Sequence, residues 1–320
     1  MDGRILVTGA FGQIGSELVP ILRSTNGKGN VVAMGHGRRP SDEVLGDGPV
    51  EYGDVGEMTQ LEAIIKKYDI SQVYHLAALL SAVGEKNPQL AWDLNMRGLL
   101  NVLELARKYE LRIFWPSSIG VFGTGYPREK TPQETVMLPT TMYGVTKVAG
   151  ELLCNYYHSK FGVDCRSVRF PGIISSITPP GGGTTDYAVA IFYEAIKHHR
   201  YECFVRADTV LPMMYMPDAL DAAIRIMSVP KDLVRRHDGY NLNAMSFSAR
   251  QLTMEIKKHI PALQVTYNPD FRQAIADTWP TSLEDSQARS DWGYDPKWGF
   301  SRMVEDMLDV LTKRHEEGRL

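Results

Sequence analysis

Tyr143 and Lys147 stand four residues apart, a spacing that puts both side chains on one face of a helix. A phenol held beside an ammonium is a proton-transfer group. The free phenol ionises near pH 10, too high for a good base at neutral pH, and a neighbouring ammonium favours the phenolate. That brings it towards the working range of a general base. The pattern Tyr-x-x-x-Lys discriminates poorly by itself, because the chain also contains Tyr126/Lys130, Tyr156/Lys160 and Tyr193/Lys197. Context separates them. Pro127 interrupts the first, and the other two fall near helix ends, where tyrosine packs and lysine is solvated. Tyr143 opens a helix just after Thr140-Thr141-Met142. It also follows a strand ending Trp115-Pro116-Ser117-Ser118, which delivers the Ser118 hydroxyl to the same edge of a sheet to hold a substrate oxygen.

A second group has different chemistry. Gly9-Ala10-Phe11-Gly12-Gln13-Ile14-Gly15 follows the apolar run Ile5-Leu6-Val7 and opens a helical pattern. Glycines permit a tight turn and close backbone approach to a pyrophosphate, and the helix start offers free N–H groups and a positive dipole. Between a strand and a helix, this trio points to a dinucleotide. The usual partner is an acid about 20 residues further on, at the ribose hydroxyls. Here that region reads Val32-Ala33-Met34-Gly35-His36-Gly37-Arg38-Arg39, without an acid. The two arginines read either as a 2′-phosphate site or as a solvated loop. Neither is tied by pattern to the ribose, so the residues alone leave the choice between NAD and NADP open. Gly53-Asp54-Val55 reads either as a contact to the adenine or as an ordinary turn. Cys154, Cys165 and Cys203 form no CxxC pair, so reduced thiols and no metal site are expected.

These groups need a scaffold. Strands are expected over 4–7, 30–34, 50–52, 72–76, 111–116 and 164–170, with helices over 13–25, 58–68, 90–109 and 143–161. Such alternation predicts an α/β fold, a doubly wound parallel sheet of Rossmann type. After Phe170 the rhythm changes to a Pro-Pro-Gly-Gly-Gly loop at 179–183, a helix over 186–199, short mixed elements and a last amphipathic helix over 301–313. The expected division is a dinucleotide-binding domain over 1–170 and a smaller C-terminal substrate lobe over 171–320. Some segments, such as 211–228, are expected to return to the first domain. A net charge of −3 without runs of one sign argues against nucleic acid or an anionic membrane as partner. No apolar stretch approaches the ~20 residues that cross a bilayer. The chain enters Ile5-Leu6-Val7 at once, so no targeting peptide is expected within it.

Taken together, the chain resembles the extended short-chain dehydrogenase/reductase family over essentially its whole length. The residues carrying the resemblance are Gly9-x-x-Gly12-x-x-Gly15, Gly53-Asp54-Val55, His75-Leu76-Ala77-Ala78, Asn95, Ser117-Ser118, Tyr143-x-x-x-Lys147 and Arg169-Phe170-Pro171-Gly172. Within that family it is most similar to the L-threonine 3-dehydrogenase branch, related in fold to UDP-galactose 4-epimerase. The closer likeness rests on Leu79-Leu80-Ser81-Ala82, Tyr143-Gly144-Val145-Thr146-Lys147 and Gly182-Gly183-Thr184-Thr185-Asp186-Tyr187-Ala188. Trp279-Pro280 and Asp285-Ser286-x-Ala288-Arg289-x-Asp291-Trp292-Gly293 add to it.

The resemblance implies metal-independent oxidation of L-threonine at C3 to 2-amino-3-oxobutanoate, with NAD reduced. It implies Tyr143 as base, Ser118 as its hydroxyl companion and Lys147 at the nicotinamide ribose. The expected cofactor contacts are Gly9, Phe11, Gly12, Gln13, Ile14, Gly15, Asp54, Val55, Leu76, Ala77, Ala78, Asn95, Tyr143, Lys147 and Pro171. Substrate contacts are expected from Ser81, Ser118, Tyr143, Thr185, Asp186 and Trp279. The family also implies a homodimer through the helices near 90–109 and 143–161, and a mitochondrial location in a eukaryote, otherwise a cytoplasmic one. A physical argument runs beside it. No Lys or Arg occurs from Pro171 through Ile196, a stretch that suits a small zwitterion better than a nucleotide-sugar diphosphate. Cations could still arrive from Arg206, Arg225 or Arg272. The competing functions are a nucleotide-sugar epimerase or dehydratase of the same fold, and a non-catalytic dinucleotide-sensing protein. The presence of both Tyr143 and Lys147 speaks against the latter.

Overall fold

The computed structural model describes residues 3–37 and 40–320. Arg38 and Arg39, on which the 2′-phosphate reading turned, lie outside the described residues. The first half contains strands β1 (Arg4–Thr8), β2 (Val31–Gly35), β3 (Val50–Tyr52), β4 (Ile70–His75), β5 (Arg112–Ser118) and β6 (Asp164–Phe170). Between them run helices α1 (Gln13–Asn26), α2 (Asp42–Gly46), α3 (Met58–Tyr68), α4 (Ser81–Lys86), α5 (Pro88–Tyr109) and α6 (Met142–Phe161). Beyond Phe170 come β7 (Gly172–Ile174), α7 (Tyr187–His198), β8 (Arg200–Cys203), β9 (Val210–Tyr215), α8 (Met216–Ser228) and β10 (Tyr240–Asn241). The chain ends with β11 (Met245–Ser248), α9 (Ala249–His259), β12 (Gln264–Tyr267), α10 (Phe271–Ala276), α11 (Ser286–Trp292) and α12 (Phe300–Glu316).

The apolar runs of the first half form strands because both faces of the sheet are covered. Along β1, Ile5 and Val7 face one side and Leu6 the other. Along β2, Val31 and Ala33 part from Val32 and Met34 in the same way. Among the described residues, seven strands pair in parallel in the order β10-β6-β5-β4-β1-β2-β3. Helices α1 and α8 cover one face through Leu18, Leu22, Ala219 and Ile226; α3, α5 and α6 cover the other through Leu61, Leu99 and Cys154. A third core gathers Phe192, Leu252 and Met307 from α7, α9 and α12. The strand order reverses between β1 and β4. Ligands of open α/β sheets bind in such crevices, outside the carboxyl ends of the strands.

Several elements depart from expectation. Helix α5 begins at Pro88 rather than at 90, because proline suits the first helical turn. Helix α4 was not foreseen, being short and continuous in sequence with α5. Strand β10 was not foreseen either, since two residues carry no periodicity, yet it extends the main sheet beside β6. Within the segment 211–228, strand and helix part company. Helix α8 packs against α1, β5 and β6, while β9 lies between β11 and β7 in a separate three-stranded sheet.

Candidate active site

The crevice between β1 and β4 is built around glycines. Gly9 has φ +68°, and a Cβ there would stand 2.6 Å from the Ala77 nitrogen. At Gly15 a Cβ would stand 2.4 Å from the Gly9 carbonyl oxygen. Only hydrogen fits at either place, so the turn after β1 closes tightly against the loop after β4. Gly12 caps α1 and offers no side chain to the first-turn amides, which suits an anion there. Gln13, Ile14, Leu76, Ala78 and Pro171 line the cavity that opens beside this turn. Phe11 packs on Gly35, where a Cβ would stand 2.0 Å from its ring, and meets Tyr52 edge-on at 5.5 Å.

Three expected cofactor residues have structural partners of their own. Asp54 accepts the Gly56 N–H at 2.8 Å, a turn contact. Val55 is buried against α5, and its carbonyl accepts from Asn101 at 2.9 Å. Asn95 accepts from the Leu79 N–H (2.8 Å) and donates to the Leu79 carbonyl and to Thr146 (3.2 Å each). Its amide is thereby occupied in holding the loop after β4 to α6, and Asn95 is not among the residues lining the cavity.

Tyr143 lies in the first turn of α6, which Thr141 caps by accepting the Gly144 N–H at 3.1 Å. Its ring rests on Gly120, where a Cβ would be 3.1 Å away. Burial pushes the phenol up to about 12, with the Ser118 hydroxyl pulling it down. Lys147 is buried too. Its Nζ donates to the Pro116 carbonyl at 2.5 Å and stands 4.4 Å from the centre of the Trp115 ring. Burial brings it down to about 7, opposed by Cys154 and Glu151. Its ammonium stands 5.5 Å from the centre of the Tyr143 ring. The spacing does place both on one face, but the longer lysine side chain reaches on to Pro116, and the hydroxyl that favours phenolate is Ser118. Of the four Tyr-x-x-x-Lys pairs, only Tyr143 and Lys147 line the cavity.

The opposite wall comes from α4 and the loop before α7. Ser81 and Thr184 share a hydroxyl–hydroxyl hydrogen bond of 3.2 Å, and Thr185 packs on Gly172. Trp279, buried after α10, closes the wall. Asp186 also lines the cavity, yet its Oδ2 accepts from the Gly182 and Gly183 N–H groups at 2.7 and 2.8 Å. Burial raises its carboxyl and these amides lower it. The carboxylate therefore closes its own loop. Lys147 is the only Lys or Arg among the described residues lining the cavity. Arg206, Arg225 and Arg272 are instead paired with Asp277 (2.6 Å), Asp221 (3.1 Å) and Asp270 (2.6 Å). Sequence reasoning missed Glu151, which accepts from Ser117 at 2.6 Å and from Arg169 at 2.8 Å. The available signal was a third polar residue at the same four-residue step along α6.

Comparison with known proteins places this geometry. The model of the NAD dependent epimerase/dehydratase family matches residues 5–242. An uncharacterized epimerase/dehydratase of Staphylococcus haemolyticus is 51% identical over 314 residues, covering 98% of this chain and 99% of the relative. The crystal structure of L-threonine dehydrogenase from Clostridium difficile is similar at a TM-score of 0.94 and 49% identity, covering 98% of each chain. A monomeric L-threonine 3-dehydrogenase from a metagenome database is similar at a TM-score of 0.93 and 47% identity, covering 97% of this chain and 99% of that one. The glycine turn at the β1–β4 crevice, the buried tyrosine-lysine pair and these matches agree on one conclusion: the chain belongs to the NAD-dependent epimerase/dehydratase family.

Proposed function

We propose that the protein oxidises L-threonine at its C3 hydroxyl to 2-amino-3-oxobutanoate, with NAD as acceptor. The observation that carries this reading is the composition of the cavity wall. Ser118 and Tyr143 face a wall of hydroxyls and backbone at Ser81, Thr184 and Thr185, and Lys147 is the one Lys or Arg among the described lining residues. That wall suits a small amino acid and offers no cation pair for a nucleotide-sugar diphosphate. The likeness to L-threonine dehydrogenases supports the same substrate.

When bound, NAD supplies the acceptor for the hydride leaving C3. The close-packed turn from Gly9 to Gly15 and the uncapped start of α1 fit its pyrophosphate. Lys147 would hold the nicotinamide ribose, with Leu76, Ala78 and Pro171 flanking. Ser118 accepts the Gly120 N–H at 3.1 Å; its one hydrogen, directed at the Tyr143 oxygen in the free protein, would turn to the C3 oxygen once substrate is bound. Tyr143 receives the C3 hydroxyl proton on its phenolate oxygen. Trp279 and the buried tyrosine ring keep water from the reacting carbon.

The assembly we propose is a homodimer, because α6 turns apolar Val145, Leu152 and Tyr156 outward at helical spacing. The bacterial relative gives the mitochondrial alternative no support.

NADH formation from L-threonine tests the activity, with L-serine, D-threonine and UDP-galactose alongside and NADP in place of NAD. L-Threonine with NAD should lead. L-Serine should be a poor substrate, since it lacks a methyl worth roughly 1 kcal/mol when buried. Turnover of the sugar nucleotide with none of threonine would promote the epimerase reading.

A further inference from the structure

One buried acid beneath the proton-transfer group has no place in the steps above. Tyr143, Lys147 and Glu151 follow one another at four-residue steps along α6, and the Glu151 side chain is 0% exposed. Its Oε1 accepts from Ser117 Oγ at 2.6 Å and from Arg169 Nε at 2.8 Å; its Oε2 accepts from Arg169 Nη2 at 2.8 Å. The remaining guanidinium nitrogen, Nη1, donates to the Gln133 carbonyl and to Asn241 Oδ1 at 3.1 Å each. Every charged atom of the pair is thus engaged. A buried ion pair is nonetheless a poor stabiliser, because apolar residues of similar volume often serve as well. Folding alone does not call for a charge here.

Its position does supply a reason. Ser117 lies between Pro116, whose carbonyl takes the Lys147 ammonium, and Ser118, whose hydroxyl meets Tyr143. Gripping Ser117 fixes that whole end of β5 relative to α6. The register carries the same tie into β6, where Arg169 stands directly beside Ser117. We propose that Glu151 is a positioning residue: it holds the end of β5 through Ser117 and sets a negative charge one helical turn behind the Lys147 ammonium. This rests on the proposed roles of Tyr143 and Lys147, and not on the identity of the substrate.

The groups beside Lys147 are Tyr143, Glu151 and Cys154 on α6 and His75 on β4; on β6, Cys165 faces Cys154 and Arg169 faces Glu151. Strand β5 offers the Pro116 carbonyl and the Trp115 ring. Arg236 and Asp238, before β10, act on the Glu151–Arg169 pair. Glu151 favours the ammonium form of Lys147, while burial opposes it. Removing the carboxylate's charge takes that favourable partner from Lys147 and leaves Arg169 buried without its counter-ion.

The test uses the full chain, with Glu151→Gln and the double variant Glu151→Gln/Arg169→Gln. The double variant removes both charges, so a fold lost to a lone buried arginine in the single variant does not end the test. The first readout is the ionisation midpoint of Lys147 without added cofactor. It is followed by NMR of the protein labelled with [13C]lysine and assigned by the resonance missing from Lys147→Met. We expect the midpoint to fall by roughly one unit in both charge variants. The second readout is the pH profile of kcat, which should shift in both variants. Ser117→Ala breaks only the mechanical grip, and should lower kcat about 10-fold while leaving the lysine midpoint in place. Folded charge variants whose Lys147 midpoint and pH profile coincide with those of the parent would overturn the proposal. Failure of the threonine reading looks different: no NADH forms in the parent protein, while the lysine titration is unaffected.

Discussion

Replacing Tyr143 by phenylalanine removes the phenol and keeps the ring that packs on Gly120. Loss of a general base typically costs 10²–10⁴-fold in rate, about 3–5 kcal/mol of barrier. Tyr143→Phe should lose activity on that scale while its NAD affinity, measured by fluorescence titration, changes little. Near-normal turnover would remove Tyr143 from the chemistry. The pH dependence follows from the same residue. Burial pushes the phenol up to about 12, so the protonated form dominates at neutral pH and the base form grows as pH rises. The kcat of the parent should therefore climb from mildly acidic to alkaline pH. The residual rate of Tyr143→Phe should show no such climb. Asp186 teaches a different lesson at this scale. Its position in a substrate-facing segment was readable, but its carboxylate is committed to the Gly182 and Gly183 amides, which no residue type announces.

At the scale of elements, α6 has two jobs. Its inner face docks closely on β5 and the turn that follows it, because Gly144 and Gly150 leave room where a Cβ would stand 2.1 Å from the Gly120 carbonyl oxygen and 2.3 Å from the Trp115 ring. That approach lets Tyr143 and Lys147 reach Ser118 and Pro116. Its outer face carries Val145, Leu152 and Tyr156, with Leu152 61% exposed. Exposed apolar residues mark an interface when they form a contiguous patch. Leu152→Arg should convert a dimer to a monomer in analytical ultracentrifugation and leave NAD binding intact. A parent protein that sediments as a monomer, like the similar metagenomic enzyme, would refute the proposed dimer.

The whole molecule pivots on the centre of its sheet, and His75 sits there at the end of β4. Its Nδ1 meets Thr8 Oγ1 at 2.7 Å, while its buried Nε2 has no partner among the described residues. Burial brings the imidazole down to about 3. The unfolded chain then binds the extra proton between about pH 6.5 and 3, so stability is full above 6.5 and is lost as pH falls towards 3. Between pH 7 and 5 this one group should cost roughly 2 kcal/mol. His75→Asn keeps a polar partner for Thr8 and cannot ionise. Urea unfolding at both pH values should show the parent losing about that much more than the variant. Equal losses would show that His75 does not govern acid stability. No helix among the described residues is long and apolar enough to cross a membrane.

What could be settled from the linear chain rests on local physics. Alternating apolar runs dictated the parallel strands, the glycine spacing after β1 located the tight turn at the crevice of the sheet, and a four-residue step put Tyr143 and Lys147 on one face. Each is a relation between neighbours along the chain. Contacts between distant segments were decided only by folding. Ser117 and Arg169 meet because β5 and β6 pair in one particular register, and that pairing brings both to Glu151. Strand β10 joins the sheet after some 70 intervening residues, too short to betray itself by pattern. The direction of the Lys147 ammonium was likewise not written in its spacing from Tyr143. It follows from which carbonyl the close approach of α6 to β5 brings within reach, and that approach is a property of the packed core.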